Sequence, residues 1–78
     1  MSAVIYGKKN CAFCEQAKGL CIIRGIEMEY KDLNDGDYTM EEFNETFPGA
    51  RTFPQIIYNG EKVGGFTEFA AASEPTGE

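Results

Sequence analysis

The chain has 78 residues, 42% of them hydrophobic, with six Phe and four Tyr, which suffices for one small globular domain over 1–78 and leaves no room for a second. Thirteen acids against seven bases give a net charge of −6, which argues against a nucleic-acid partner; the absence of histidine excludes a Ser-His-Asp triad, a Cys-His dyad and any His-containing metal site. Three cysteines are too few for a Cys₄ zinc site and too odd and sparse for a secreted disulfide scaffold, so no metal ligands are expected.

No window approaches the roughly 18 apolar residues of a membrane span. No charged-then-apolar leader precedes the first strand, so the expected location is the cytoplasm, with no membrane partner.

Taken in chain order, Val4 to Gly7 reads as a short buried strand, with Gly7 and Asn10 giving turn character before Cys11. From Phe13 the apolar positions run Phe13, Ala17, Leu20, Cys21, the i, i+4, i+7, i+8 face of a helix, and Gly25 caps it. Ile26 to Leu33 alternates with period two, Ile26, Met28 and Tyr30 on one face, which predicts a half-exposed strand. Asn34-Asp35-Gly36-Asp37 is a turn. Thr39-Met40-Glu41-Glu42 has capping-box spacing and opens a second helix through Phe47, stopped by Pro48-Gly49. Phe53 to Tyr58 predicts a third strand, with Pro54 near its start. Asn59-Gly60 then turns a hairpin into Glu61–Gly64. A short last helix runs Thr67 to Ala72 with Thr67 as candidate N-cap, and Ser73 to Glu78 is expected to fray. The order β-α-β-α-β-β-α implies an α/β fold with a four-stranded mixed sheet flanked by helices.

The chemistry concentrates at Cys11-Ala12-Phe13-Cys14, between the first strand and the first helix. Residues i and i+3 face each other across one helical turn, so the two sulfurs can bridge without moving the backbone. Orphan N–H groups and the positive end of the helix stabilise a thiolate there, and the thiolate is the attacking species in disulfide exchange. Cys11, nearer the helix end, is the expected nucleophile and Cys14 the resolving thiol. Cys21 lies about 10.5 Å further along the axis than Cys14, too far for a disulfide, and reads as a buried core residue. Lys8 and Lys9 form a basic spot beside the motif in an acidic chain, which suits a small anionic substrate; Lys9 itself reads as solvated.

With these residues in place, the sequence resembles a glutaredoxin, a small dithiol member of the thioredoxin superfamily. The similarity is carried by Tyr6-Gly7-Lys8-Lys9-Asn10-Cys11-Ala12-Phe13-Cys14, Gly49-Ala50-Arg51-Thr52-Phe53-Pro54-Gln55 and Gly64-Gly65-Phe66-Thr67-Glu68, and covers nearly the whole chain. The resemblance implies a thioredoxin fold and glutathione-dependent reduction of protein disulfides and glutathione mixed disulfides. It implies glutathione as reductant, disulfide-containing proteins as partners and a monomer. Ribonucleotide reductase is a common client of the family, though no residue here points to it.

By the same resemblance, Lys8 favours the Cys11 thiolate and meets a glutathione carboxylate. Pro54 follows a cis bond, and the Phe53 backbone pairs with the cysteinyl part of glutathione. Phe13, Thr52, Gly65, Thr67 and Glu68 complete the glutathione site, with Arg51 beside it. Phe13 is ambiguous: helical spacing favours inward, the family pattern outward.

Three features depart from the family. Ala12 and Phe13 replace Pro and Tyr of the usual motif, which frees an Ala12 N–H to face the Cys11 sulfur and alters the redox potential. Glu41 stands where a further carboxylate ligand is common and would repel glutathione. The last helix is short. Two alternatives follow: a redoxin reduced by a thioredoxin reductase, and a carrier of a 2Fe–2S cluster shared between two chains with glutathione.

Overall fold

The computed structural model describes residues 1–74. Seven elements follow one another: β1 (Ser2–Gly7), α1 (Ala12–Arg24), β2 (Glu27–Asp32), α2 (Met40–Thr46), β3 (Gln55–Tyr58), β4 (Glu61–Gly64) and α3 (Phe66–Ala72). Their order is the predicted one. The sheet runs β2-β1-β3-β4, with β1 parallel to β2 and antiparallel to β3, and β3 antiparallel to β4. It is therefore mixed and four-stranded.

Local chemistry sets the boundaries. The Ile26 N–H bonds to the Cys21 carbonyl at 2.9 Å and closes the end of α1 beyond Gly25, so β2 starts one residue later than the alternation suggests. β3 starts at Gln55 rather than Phe53, because Pro54 has no N–H to give a ladder. Thr39 and Glu42 exchange both hydrogen bonds of the predicted capping box, at 3.1 and 2.9 Å. Asn59 and Gly60 both have positive φ, 52° and 86°, as the tight hairpin turn requires.

The start of α3 differs from expectation. Gly65 is its N-cap, and the Glu68 carboxylate accepts the Gly65 N–H at 3.0 Å. Thr67 lies inside the first turn, because the acid three residues beyond Gly65 fixes the start. The end differs too. Ser73 is buried, its hydroxyl donates to the Phe69 carbonyl at 2.8 Å, and Arg24 reaches both that hydroxyl and the Ala70 carbonyl at 2.8 Å. The expected fraying therefore fails at Ser73; residues 75–78 lie outside the described residues.

Strand alternation divides the interior. Ala3, Ile5, Ile56 and Tyr58 join Ala17, Cys21, Ile26 and Phe69 on one side of the sheet. Tyr6 and Ile57 point the other way, toward Tyr38, Phe43, Phe47 and Phe53. Burying each large side chain of these clusters stabilises the fold by about 1.5–3 kcal/mol. Two tyrosines tie down the carbonyls just before the CxxC motif. Tyr38 donates to Gly7 at 2.7 Å and Tyr30 to Lys8 at 3.2 Å. Among the described residues, no helix is long and apolar enough to cross a membrane.

Candidate functional site

Cys11 has extended backbone and is the N-cap of α1; its sulfur accepts the Cys14 N–H at 3.2 Å. A sulfur here takes the part that a Ser, Thr or Asp oxygen plays at other helix starts. The donor is Cys14, not the expected Ala12: the amides that point back at a cap side chain are those two and three residues into the helix. The Cys11 thiol faces the Phe53 carbonyl at 3.9 Å, and the Phe53–Pro54 bond is cis, as expected. The loop between α2 and β3 thus lies directly against the motif.

Cys11 is half-buried, while Cys14 is 0% exposed. Burial pushes the Cys14 thiol up to about 11, with the Cys11 sulfur adding to the rise; the Lys8 N–H and the Tyr30 hydroxyl oppose it. Cys21 is buried in the core, and burial alone raises its thiol too. All three cysteines are free.

Beside Cys11 runs a groove of about 330 Å³. Its lining includes seven of the eight residues expected to hold glutathione: Phe13, Thr52, Phe53, Pro54, Gly65, Thr67 and Glu68. The eighth, Lys8, is exposed, with its ammonium 5.1 Å from the centre of the Phe53 ring. Phe13 resolves its ambiguity outward. It is 55% exposed and stacks on Phe66 with ring centres 6.0 Å apart, so the two rings form one wall of the groove.

Phe66 is the lining residue that the sequence did not mark; its place directly after Gly64-Gly65 was the available signal. Glu41 is exposed on α2 and is not among the lining residues. Arg51 is exposed next to Thr52. Lys9, expected to be solvated, is exposed but paired with Asp35 at 2.9 Å, which raises its ammonium; its N–H bonds Asn34 at 2.8 Å.

A buried thiol behind a half-exposed one, at a helix start beside an aromatic groove, is an arrangement for disulfide exchange. The sequence model of the Glutaredoxin family matches residues 3–63. The chain belongs to the glutaredoxin family.

It is similar to glutaredoxin 1 of Escherichia coli strain K12, 31% identical over 77 residues and 91% of each chain. Among solved structures it is similar to oxidised E. coli glutaredoxin, with TM-score 0.77, 29% identity and 97% and 96% of the two chains covered. It is also similar to glutaredoxin 1 from Francisella tularensis, with TM-score 0.78, 25% identity and 94% and 92% covered. The fold is thus the thioredoxin fold, and the glutaredoxin is a thiol–disulfide oxidoreductase.

Proposed function

We propose that this glutaredoxin uses glutathione to reduce protein disulfides and glutathione mixed disulfides, in the cytoplasm. One observation carries the reading: a groove lined by Phe13, Thr52, Phe53, Pro54, Gly65, Thr67 and Glu68 opens beside the half-buried Cys11. Cys11 attacks a substrate disulfide and forms a mixed disulfide. Cys14 then displaces the substrate thiol and closes a Cys11–Cys14 disulfide. Glutathione returns both cysteines to thiols and leaves as its own disulfide.

Each part of glutathione has a matching group. Phe53 lies ahead of the β1–β3 ladder, which starts at Gln55, so its main chain can pair with the cysteinyl unit in strand fashion. Lys8 supplies positive charge at the Phe53 side for a carboxylate. One Glu68 oxygen holds the Gly65 N–H, and the carboxylate keeps acceptor capacity for the γ-glutamyl ammonium. The Phe13–Phe66 wall covers the apolar parts between.

The test is a coupled assay that offers the oxidised protein glutathione with glutathione reductase, or a thioredoxin reductase, as electron source. Turnover with glutathione is the expected result. Turnover with thioredoxin reductase alone overturns the proposal in favour of a redoxin of the other type. Visible absorbance in freshly purified protein that is lost with its iron would instead identify a cluster carrier.

A further inference from the structure

The chain carries seven bases within a net charge of −6, and four of them are engaged where they stand. Lys9 pairs with Asp35 and Lys18 with Glu15. Arg24 is held by the Ala70 carbonyl and the Ser73 hydroxyl. Lys31 shares a pocket with Asp37, Glu42 and Glu45. The other three are Lys8, Arg51 and Lys62, all exposed, and among the described residues none of them forms an ion pair. They border one aromatic cluster. Lys8 lies 5.1 Å from the Phe53 ring centre and Lys62 lies 6.0 Å from that of Phe47. Phe43 joins the two rings, 4.8 Å from Phe53 and 5.4 Å from Phe47. Arg51 is in the loop that runs from Phe47 to Phe53.

Arg51 and Lys62 line a second groove of about 430 Å³, together with Phe47, Ala50, Thr52 and Gly64. Among the described residues they are its only ionisable lining groups, and both are positive. Glu61 precedes Lys62 on β4, where strand alternation turns it to the other face of the sheet. The second groove adjoins the first. Both include Thr52, and Gly65 of the first follows Gly64 of the second. The ridge between them is fixed, because the Gln55 side-chain amide donates to the Thr52 carbonyl at 3.0 Å and to its hydroxyl at 3.3 Å. The charges on the two sides are opposite: Glu68 is the ionisable residue lining the first groove. A molecule reacting at Cys11 thus has a basic trough beside it, on a protein that is otherwise acidic.

We propose that the second groove docks an acidic segment of the protein substrate, with Asp or Glu side chains two to four residues from the cysteine under attack. The inference rests on the reading in which Cys11 attacks a protein disulfide beside Phe53. The Cys11 sulfur lies 3.9 Å from the Phe53 carbonyl, and Arg51 is two residues earlier, at most about 7 Å of chain away. An extended substrate covers about 3.3 Å per residue, so a carboxylate in that span reaches Arg51 first and Lys62 further along. Pairing at exposed positions of this kind is weak for each charge, and its main effect is on which substrates are captured and how fast. A lysine on an edge strand also guards the edge against pairing with another chain, so selectivity rather than stability is the quantity to read.

The test uses three peptides that share one internal disulfide and carry Glu, Gln or Lys on either side of it. Reduced protein is mixed with each, and loss of protein thiols is followed in a single turnover without glutathione. The Glu peptide should react about three- to tenfold faster than the Gln peptide, the range for two exposed ion pairs, and the Lys peptide slowest. Salt at about 0.5 M should bring the three rates together. In Lys62→Gln the Glu preference should fall to about half, and in Lys62→Glu it should vanish. Both variants should keep the native rate on the small uncharged disulfide of 2-mercaptoethanol. Equal rates on the Glu and Gln peptides, or a preference untouched by Lys62→Glu, would overturn the proposal. So would an equal loss on the small disulfide, which would make Lys62 a support of the thiols instead. The glutathione reading is checked separately: no turnover with glutathione in the coupled assay, beside an intact Glu preference, would overturn that reading and leave the role of this groove standing.

Discussion

Cys11 and Cys14 lie one helical turn apart on the same motif, yet their surroundings are opposite. Cys11 is half-buried, caps a helix with its sulfur and lies against Phe53, a lining residue of the groove. Cys14 is sealed, and burial pushes its thiol up to about 11. The difference lies in direction rather than distance. The cap residue sits outside the helix on extended backbone, while the residue three later turns onto the face that packs against the sheet. One turn of helix therefore separates a partly exposed sulfur from a sealed one.

The sharpest way to break this comparison is to remove each sulfur in turn. Cys11→Ser should abolish both deglutathionylation and protein-disulfide reduction, to background in either assay. Cys14→Ser should keep the first activity, which needs one thiol, and lose the second, which needs two. Activity remaining in Cys11→Ser would exchange their roles. Next in size is alkylation. Brief iodoacetamide treatment of the reduced protein should label Cys11 well before Cys14 or Cys21, read by peptide mass, because only Cys11 is open to reagent. Early labelling of Cys14 would show that the motif opens readily.

Stability against pH gives a smaller effect. The unfolded thiol titrates near 8.5. With the folded Cys14 pushed up to about 11, the unfolded chain loses its proton first as pH rises. The stabilisation is fully present below about pH 8.5 and is lost on the way to pH 11. Urea midpoints of the reduced protein should fall across that window, and fall less in Cys14→Ser. The buried Cys21 contributes with the same sign, and Tyr30 and Tyr38, both raised chiefly by burial, extend the loss to higher pH.

The smallest effect belongs to Ala12→Pro. Because the Cys14 N–H donates to the Cys11 sulfur, a proline at the first helical position leaves that hydrogen bond in place. The potential should therefore move by less than the about 30 mV that marks a tenfold change, measured in glutathione redox buffers. A larger shift would make the Ala12 amide a partner of the thiolate after all.

The fold was legible because its signals are local. Period-two spacing, the Thr39–Glu42 box and the Asn59-Gly60 turn each hold in the structure, and helical spacing holds along α1 except at Phe13. The site was legible through motif spacing, since residues far apart in sequence, such as Cys11 and Phe53, meet where the sheet brings them. What was hidden depends on the third dimension. Nothing in the composition of Gly65 shows that Glu68 will accept its N–H, and Thr67 carries the more usual cap side chain. Phe13 turns outward onto Phe66, fifty-three positions later. The Tyr30 hydroxyl reaches the Lys8 carbonyl across Gly7, where a Cβ would block it, and strand alternation carries no trace of that.

The contact of Arg24 with the Ala70 carbonyl and Ser73 has a practical consequence. It pins the far end of α3 to the far end of α1, while the near ends of both helices border the groove. α1 is 13 residues long, which at 1.5 Å per residue places the two poles about 20 Å apart. A dye or surface linker attached at the exposed Glu74 would start from the pole away from the thiols. The molecule can thus be immobilised through that position on an electrode or bead with its reactive face presented outward.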